Sequence, residues 1–214
     1  HSLDKLLEQW QISKELQPKL SIYQVHSATF ESGILDNKDV LKRLYEIKKQ
    51  TGLQIGITTS GTNQSEIIEA ALKIKVENED LFDSYQVTYN IFEQSTHAIL
   101  KHLLQLGKTV IIKEALANGR IFKNEKFSHY QKLYQIVDSM AKKYQVGTDA
   151  IALRYVMDNL EPTYLLSGAS TIEQLEQNIK AYNFKLENEE LKVLNSFKTD
   201  SQKYWEERNE LSWN

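Results

Sequence analysis

Hydrophobic residues follow two spacings along the chain. In some segments they lie three or four positions apart, as on one face of an α-helix, and in others they form short runs rich in β-branched residues, which is typical of buried strands. The first spacing predicts helices over residues 2–10, 37–50, 64–74, 96–106, 127–144, 148–159, 171–182 and 187–197. The second predicts strands over residues 20–28, 53–61, 84–92, 109–116 and 163–169. Ser2 is the predicted N-cap of the first helix.

Every predicted strand is followed by at least one helix, so the chain is a series of βα units. The strand runs are mostly apolar, as in a parallel sheet that helices cover. This order predicts an α/β fold, either a doubly wound open sheet or a (β/α)₈ barrel, and the spacing alone does not separate the two. The sequence lacks the glycine patterns of Rossmann and P-loop nucleotide sites, which disfavours both. Because no segment resembles an interdomain linker, we predict one domain over residues 1–214.

Composition and charge exclude several classes of protein. The 214 residues include 26 basic and 29 acidic side chains, a formal charge of −3, and this balance disfavours a dedicated binder of nucleic acid or membrane surfaces. No apolar run approaches the ~20 residues of a membrane span. The sequence has no cysteine, which excludes disulfides and cysteine nucleophiles and fits a reducing compartment. We therefore expect a cytoplasmic protein, without a metal site because no His or carboxylate cluster has ligand spacing.

The candidate chemistry lies where the predicted strands end, because ligands bind at the carboxyl ends of parallel strands in both architectures. His26 ends the first strand and is either a general acid or hydrogen-bond donor, or a buried core histidine. Residues 167–171 are either a phosphate-binding turn or an ordinary N-cap. Lys113 is either a Schiff-base nucleophile or, with Glu114, part of structural ion pairs. The acidic segment 77–83 is expected to form a solvated loop.

Taken in order, these segments resemble the aldo-keto reductases over almost the whole chain. SIYQVHSA (21–28) is similar to the fourth strand of that family's barrel, QIGITTSG (54–61) to the fifth, and DSYQVTYNIFEQS (83–95) to the sixth. TVIIKEALANGR (109–120) is similar to the seventh strand with its loop, and residues 149–186 are similar to the last helix, the eighth strand and the helix after it. The resemblance implies a (β/α)₈ TIM barrel that is incomplete here, with strands four to eight present and strands one to three missing.

The resemblance also implies a cofactor and the residues that hold it. The implied cofactor is NADP(H), with NAD(H) as the alternative because Gln174 stands where the family often has the basic residue that binds the 2′-phosphate. His26 matches the active-site histidine that orients the carbonyl oxygen of the substrate. The family's nicotinamide-stacking aromatic falls on Glu114 or Ala115. The other matches are cofactor-binding positions: Thr58, Thr59, Gln86, Leu116, Gly119, Gly168, Ala169, Ser170, Thr171, Gln174, Gln177 and Asn178.

The implied activity is the NAD(P)H-dependent reduction of a small aldehyde or ketone. The tyrosine, lysine and aspartate of the reaction lie on the family's first three βα units, which have no counterpart in this sequence, so we expect the isolated chain to be nearly inactive. We also expect exposed strand edges, and with them self-association or a partner. Two alternatives stay open, a non-catalytic nucleotide-binding regulatory subunit and a Schiff-base lyase. The aromatic tail, residues 203–214, either covers the substrate or packs on the barrel's outside.

Overall fold

A computed structural model describes residues 2–211. Its helices are α1 (Leu3–Ser13), α2 (Lys38–Thr51), α3 (Gln64–Leu72), α4 (His97–Gln105), α5 (Gln131–Tyr144), α6 (Thr148–Leu160), α7 (Ile172–Ile179), α8 (Asn188–Asn195) and α9 (Ser201–Asn209). Its strands are β1 (Ile22–Val25), β2 (Gln54–Thr58), β3 (Lys75–Val76), β4 (Glu79–Asp80), β5 (Ser84–Thr88), β6 (Thr109–Lys113) and β7 (Tyr164–Leu165). No helix within this range is both long enough and apolar enough to cross a membrane.

The main sheet joins five strands in the order β1-β2-β5-β6-β7. β1 pairs in parallel with β2, β2 with β5, and β6 with β7. Strands β3 and β4 form a separate antiparallel pair. The predicted α/β fold with a parallel sheet is therefore confirmed.

The chain divides into two compact units. The first contains the residues up to Val87 together with His102–Val110, and the second contains Thr88–Lys101 and the residues from Ile111 onward. The division cuts through β5 and β6, so each unit contains part of the main sheet. The assignment of residues 1–214 to a single domain stays a prediction.

In the first unit, helix α2 packs its apolar face on the sheet. Leu44 and Ile47, three residues apart on α2, and Ile55 and Ile57, on one face of β2, are all completely buried. The helix begins after Asn37, whose side-chain oxygen accepts the Val40 N–H. The cap at Ser2 is confirmed in the same way, since its hydroxyl accepts the Lys5 N–H at the start of α1.

In the second unit, helix α6 is buried on nearly all sides. Ala150, Ile151, Ala152, Tyr155 and Val156 have no exposed surface. Tyr155 stacks on Tyr89, with 6.2 Å between the ring centroids. This burial explains why α6 shows only a weak polar face in the sequence.

All five strands of the main sheet end earlier than predicted, and three of them end for a clear local reason. β5 ends at Thr88 because the Asn90 side chain then accepts the N–H groups of Phe92 and Glu93 and turns the chain. β6 ends at Lys113 because Glu114 takes a left-handed conformation, with φ of 56°. β7 contains only two residues and is followed by the left-handed Gly168.

The prediction of a solvated loop over residues 77–83 is wrong. These residues include β4, and Leu81 and Phe82 are buried at 0% and 1% exposure. The tail contains a helix, α9, for which no prediction was made. It buries Tyr204 and Trp205, whereas Trp213 lies outside the described residues. α9 lacks an apolar stripe because its two large aromatic residues are neighbours in sequence, so the helical spacing gave no signal.

Apolar side chains around β7 and α7 are exposed. Tyr164 is 55% exposed, Ile172 72% and Tyr182 73%. Isolated apolar residues are common on protein surfaces, but a cluster of this kind is typical of a surface that meets another molecule. Self-association through it stays a prediction.

Two glycines should respond differently to replacement by alanine. A Cβ at Gly56 of β2 would lie 2.7 Å from the Ser84 carbonyl oxygen in the neighbouring strand, whereas one at Gly147 would meet only the rotatable Asp149 side chain. We expect Gly56→Ala to lower the free energy of unfolding by ~1–3 kcal/mol. Gly147→Ala should cost less, at most ~1 kcal/mol, because alanine is a poorer N-cap of α6 than glycine. Urea denaturation measures both, and equal shifts would contradict this interpretation of the strand packing.

His97 should make the second unit sensitive to acid. Burial, with smaller contributions from Lys101 and Lys198, lowers the pKa of His97 below its ordinary value of 6.5, and Nδ1 lies 3.0 Å from the Tyr89 hydroxyl. The unfolded chain therefore binds the proton more tightly, so this contribution to stability is present above pH 6.5 and is lost as the pH falls through the lowered pKa. In His97→Gln the free energy of unfolding should decline less steeply from about pH 7 to 5. The exposed His102→Gln variant is the control and should keep the wild-type slope.

Candidate active site

His26 is the first residue after β1, at its carboxyl end. Its side chain is exposed, so the alternative of a buried core histidine is wrong. Nδ1 lies 3.0 Å from the Ser27 hydroxyl oxygen, and Ser27 adopts a left-handed φ of 52°. The imidazole also borders a cavity of about 280 Å³ between α1 and β1. The pairing with Ser27 orients the ring at the open end of the strand.

Thr58 and Thr59 end β2, and both are buried. The Thr58 hydroxyl oxygen accepts the Ser27 N–H at 2.9 Å, so it supports the turn next to His26. The Thr59 hydroxyl donates to Gln64 Oε1 at 3.5 Å. Each hydroxyl keeps only part of its hydrogen-bonding capacity for a ligand, since it has one donor and two acceptor sites.

Gln86 lies in β5, opposite Thr58 in the strand register. Its side chain is half-buried, and its backbone carbonyl oxygen accepts the Thr59 N–H at 3.0 Å. The first unit thus brings together the predicted residues Thr58, Thr59 and Gln86. Thr58 also links this group to the turn that follows His26.

In the second unit, residues 167–171 form an open turn before α7. Gly168 has φ of 66°, and a Cβ there would meet no atom within 4 Å. The Ala169 N–H donates to the Ser167 hydroxyl at 3.2 Å. Thr171 is the N-cap of α7, where its side chain accepts the Gln174 N–H. The ordinary N-cap and the open turn are therefore both present.

Gln174 closes over this turn from the first turn of α7. Its Oε1 accepts both the N–H and the O–H of Ser170, at 2.8 and 3.0 Å. Hydrogen bonds to its own backbone N–H and to Thr171 lower the pKa of Glu173 below its usual value. The start of α7 therefore favours negative charge and directs two donors at one acceptor oxygen.

The other predicted residues of α7 have different roles. Asn178 is buried and donates to the Ser167 carbonyl oxygen at 3.2 Å, so it fixes the helix to the preceding turn. Gln177 is exposed and accepts a hydrogen bond from Lys180 at 2.8 Å. Asn178 thus supports the turn, whereas Gln177 points along the helix.

The turn after β6 holds the predicted residues Leu116 and Gly119. Leu116 is half-buried and Gly119 is exposed. Ala117, Asn118 and Gly119 all have left-handed φ values, 50°, 54° and 85°. Such a run of left-handed residues is sterically unfavourable except at glycine, so neighbouring contacts must hold it in place.

Lys113 and Glu114, at the end of β6, have different surroundings. Glu114 forms an ion pair with Arg208 of α9, at 2.9 Å, which confirms a structural ion pair at this strand end. Burial lowers the pKa of Lys113 below its usual value, and Arg208 lowers it further while Glu114 raises it. A lowered pKa suits a Schiff-base lysine, but burial alone accounts for it here.

A polar network around the β6 turn was missed in the sequence. It joins Asn90 and Arg120 to Tyr204, Glu207 and Arg208 of α9. The available signal was Asn90, a polar residue inside an apolar run. Arg120 is 1% exposed, and arginine is seldom buried without partners. Within residues 2–211, no cluster of three or more His, Cys, Asp or Glu side chains could hold a metal ion.

The family assignment agrees with this geometry. The model of the aldo/keto reductase family matches residues 11–199 of the chain. The protein therefore belongs to the aldo/keto reductase family, an oxidoreductase family, and the resemblance seen in the sequence is confirmed. A comparison with curated proteins gave no match.

Solved structures of similar fold are also aldo-keto reductases. AKR11C1 from Bacillus halodurans, in its apo form, is 19% identical with a TM-score of 0.65, over 85% of this chain and 64% of that one. The thermostable Tm1743, solved with the inhibitor epalrestat, is 23% identical with a TM-score of 0.63, over 83% and 59%. MGS-M4, from a Medee basin deep-sea metagenome library, is 18% identical with a TM-score of 0.61, over 84% and 59%.

These alignments show the fold. The chain spans about three-fifths of the length of the structures it matches, at 64%, 59% and 59%. Because the family match begins at residue 11, the comparisons do not support the finer prediction that barrel strands one to three are missing.

Replacing Gln174 by glutamate should stabilise the second unit. The carboxylate would keep the acceptor position opposite Ser170 and add a negative charge at a helix N-terminus, which is worth ~0.3–1 kcal/mol. Gln135→Glu, at an exposed position on α5, adds the same charge away from a helix end and should have little effect. Thermal denaturation at low salt compares them. An unchanged or lower melting temperature for Gln174→Glu alone would show that the turn does not favour anions.

Proposed function

We propose that this chain takes part in an NAD(P)H-dependent reduction of a small aldehyde or ketone. The observation that carries the proposal is the turn before α7, where the N–H and O–H of Ser170 converge on one oxygen. Membership of the aldo/keto reductase family supplies the reaction class.

The turn before α7 fits a nucleotide phosphate. A phosphate oxygen would take the place of Gln174 Oε1 and accept the same two hydrogen bonds from Ser170. The lowered pKa of Glu173 supports the same proposal, because its causes, the Glu173 backbone N–H and Thr171, are donors that favour negative charge at the N-terminus of α7. Gln174 contributes hydrogen bonds but no charge, so both NADP(H) and NAD(H) belong to the proposal.

The nicotinamide carboxamide fits the first unit. A carboxamide needs both a donor and an acceptor, and the half-buried Gln86 side chain offers both. The Thr58 and Thr59 hydroxyls would add to the carboxamide site the hydrogen bonds that their contacts with Ser27 and Gln64 leave unused. In the second unit, Leu116 and Gly119 belong to the turn that would cover the pyrophosphate.

The cofactor, when bound, supplies the hydride for the reduction. In this chain, His26 would donate a hydrogen bond to the carbonyl oxygen of the substrate, and Ser27 holds its ring in place. Because the side chain of His26 is exposed, it can reach a substrate without a change in the fold.

Several finer statements belong to the same proposal. The five strands of the main sheet would correspond to strands four to eight of the barrel. No tyrosine of the chain matches the family's proton donor by motif, so we propose that the isolated chain binds nucleotide but turns over slowly. Binding without turnover would also suit a regulatory subunit. A cytoplasmic location, self-association or a partner at the exposed strand edges, and a small carbonyl substrate are parts of the proposal too.

The first test is calorimetric titration of the whole chain with NADPH and NADH. We expect saturable binding of at least one of them, and about tenfold weaker binding by Gln174→Glu, since its carboxylate repels phosphate. Gln135→Glu is the control for the added charge and should bind like the wild type. No saturable binding of either nucleotide would contradict the proposed function.

The second measurement is NADPH consumption with a panel of aldehydes. Any turnover should fall about 10²–10³-fold in kcat/KM in His26→Ala, the effect of removing one donor to a developing oxyanion. The exposed His102→Ala should keep the wild-type rate. Nucleotide binding without detectable consumption would favour the regulatory alternative over the reductase.

A further inference from the structure

The turn after β6 is held in a conformation that its residues do not favour. Glu114, Ala117 and Asn118 all carry side chains, yet their φ values are 56°, 50° and 54°. Three backbone hydrogen bonds lie inside the turn. In each, an N–H donates to the carbonyl oxygen three residues earlier: Ala117 to Glu114, Gly119 to Leu116 and Arg120 to Ala117. Since left-handed backbone is costly for residues other than glycine, contacts from outside the turn must stabilise it.

Helix α9 supplies those contacts at the start of the turn. Arg208 donates to Glu114 Oε1 at 2.9 Å, and both side chains are only 12% exposed. Asn90 donates to the Glu114 carbonyl oxygen and to the Tyr204 hydroxyl, both at 2.9 Å. The side chain and the backbone of Glu114 are therefore both bound by a network that ends on α9.

The end of the turn is bound in a similar way. The buried Arg120 donates through Nε to the Ala117 carbonyl oxygen, at 3.0 Å, and through Nη1 to the Tyr204 carbonyl oxygen, at 3.1 Å. Its guanidinium lies 4.1 Å from the centroid of the Tyr204 ring. Glu207, 3.5 Å from the same Nη1, also accepts a hydrogen bond from Tyr130.

The contacting residues lie on one face of α9. Ser201, Tyr204 and Arg208 have the i, i+3, i+7 spacing of a helical stripe, and Ser201 extends it to Glu93 after β5, at 2.7 Å. Most helices dock on a core with an apolar stripe, whereas this one combines two buried aromatic residues, Tyr204 and Trp205, with contacts through charged and polar groups. Such groups specify a geometry more narrowly than apolar packing does.

We propose that α9 is a clamp that holds the turn of residues 114–120 ready for nucleotide, with Arg208 and Arg120 as positioning residues. This inference rests on the proposed function, in which Leu116 and Gly119 of the turn cover the pyrophosphate. Neither arginine needs to touch the nucleotide. Each acts through a residue of the turn, Arg208 through Glu114 and Arg120 through Ala117.

The test compares Arg208→Ala with Lys203→Ala in the whole chain. Lys203 is an exposed cation of the same helix, so its variant controls for charge and for helix propensity. Hydrogen exchange without nucleotide reports whether the amides of Ala117, Gly119 and Arg120 stay protected. Calorimetric titration with NADPH and NADH reports affinity.

We expect exchange of these three amides to be about tenfold faster in Arg208→Ala, and affinity to be about tenfold lower, as for the loss of one charge-assisted hydrogen bond. Arg208→Lys should restore part of both, because lysine can still pair with Glu114. Glu114→Gln, which keeps the shape but removes the charge, should reproduce the loss if Arg208→Ala does not fold. If Arg208 only stabilised the fold, exchange would become faster throughout the second unit and not only at these three amides, and Arg208→Lys would not recover affinity selectively.

Exchange and affinity within twofold of the Lys203→Ala values would overturn the clamp. Failure of the proposed function looks different, because the wild-type chain would then bind neither nucleotide. Exchange still decides the clamp in that case: faster exchange in Arg208→Ala would support the hold of α9 on the turn, and unchanged exchange would refute it.

Discussion

Parallel pairing of the strands is the constraint on which the rest of the structure depends. Parallel strands bring their carboxyl ends to one edge, where the ladder of backbone hydrogen bonds stops and the last N–H and C=O groups need other partners. In the first unit Thr58 takes over at this edge by accepting the Ser27 N–H, and in the second unit Asn90 accepts the N–H groups of Phe92 and Glu93. The polar residues at the strand ends thus complete the fold before they serve any ligand. Only the donor and acceptor positions that the fold does not use are left for a ligand.

The need for polar partners at the strand ends also explains the polar contacts that α9 makes with the turn after β6. At the end of β6 the chain turns through left-handed residues, and Arg208 of α9, nearly one hundred positions further along, donates to the side chain of the first of them, Glu114. Arg208 and Glu114 are both about nine-tenths buried, so removing one of them would leave a charge without its partner in a poorly solvated place. A pair of this kind fixes a geometry more than it adds stability. That property would matter most next to a turn that binds nucleotide, as proposed for residues 114–120.

Regular elements were predictable here because they depend on short-range spacing. Leu44 and Ile47 indicated α2 through their period, and Asn37 and Gly52 bound it through their local conformations. The predicted ends of β6 and β7 are too late because the left-handed residues that follow, Glu114 and Gly168, interrupt an apolar run without changing its composition. Helix α9 and the partners of Arg120 lay beyond sequence reasoning, since they depend on contacts between residues more than eighty positions apart. The turn of residues 167–171 was indicated by its place between a strand and a helix, and the resemblance added Gln174, Gln177 and Asn178, whereas the burial of the Thr58 and Thr59 hydroxyls needed the structure.

Gln174 completes the turn before α7 and, in the proposed site, would compete with a phosphate for the same hydrogen bonds. In the structure its amide oxygen satisfies the N–H and O–H of Ser170, which would otherwise be left to water. In the proposed site, a phosphate would replace this oxygen, and its free energy of binding would be the difference between two sets of hydrogen bonds. Charge would then decide the outcome, because a phosphate would gain from the N-terminus of α7 what a neutral amide cannot. A basic residue at this position would favour phosphate by direct attraction, whereas glutamine makes the turn stable without a ligand and leaves the selection to the helix.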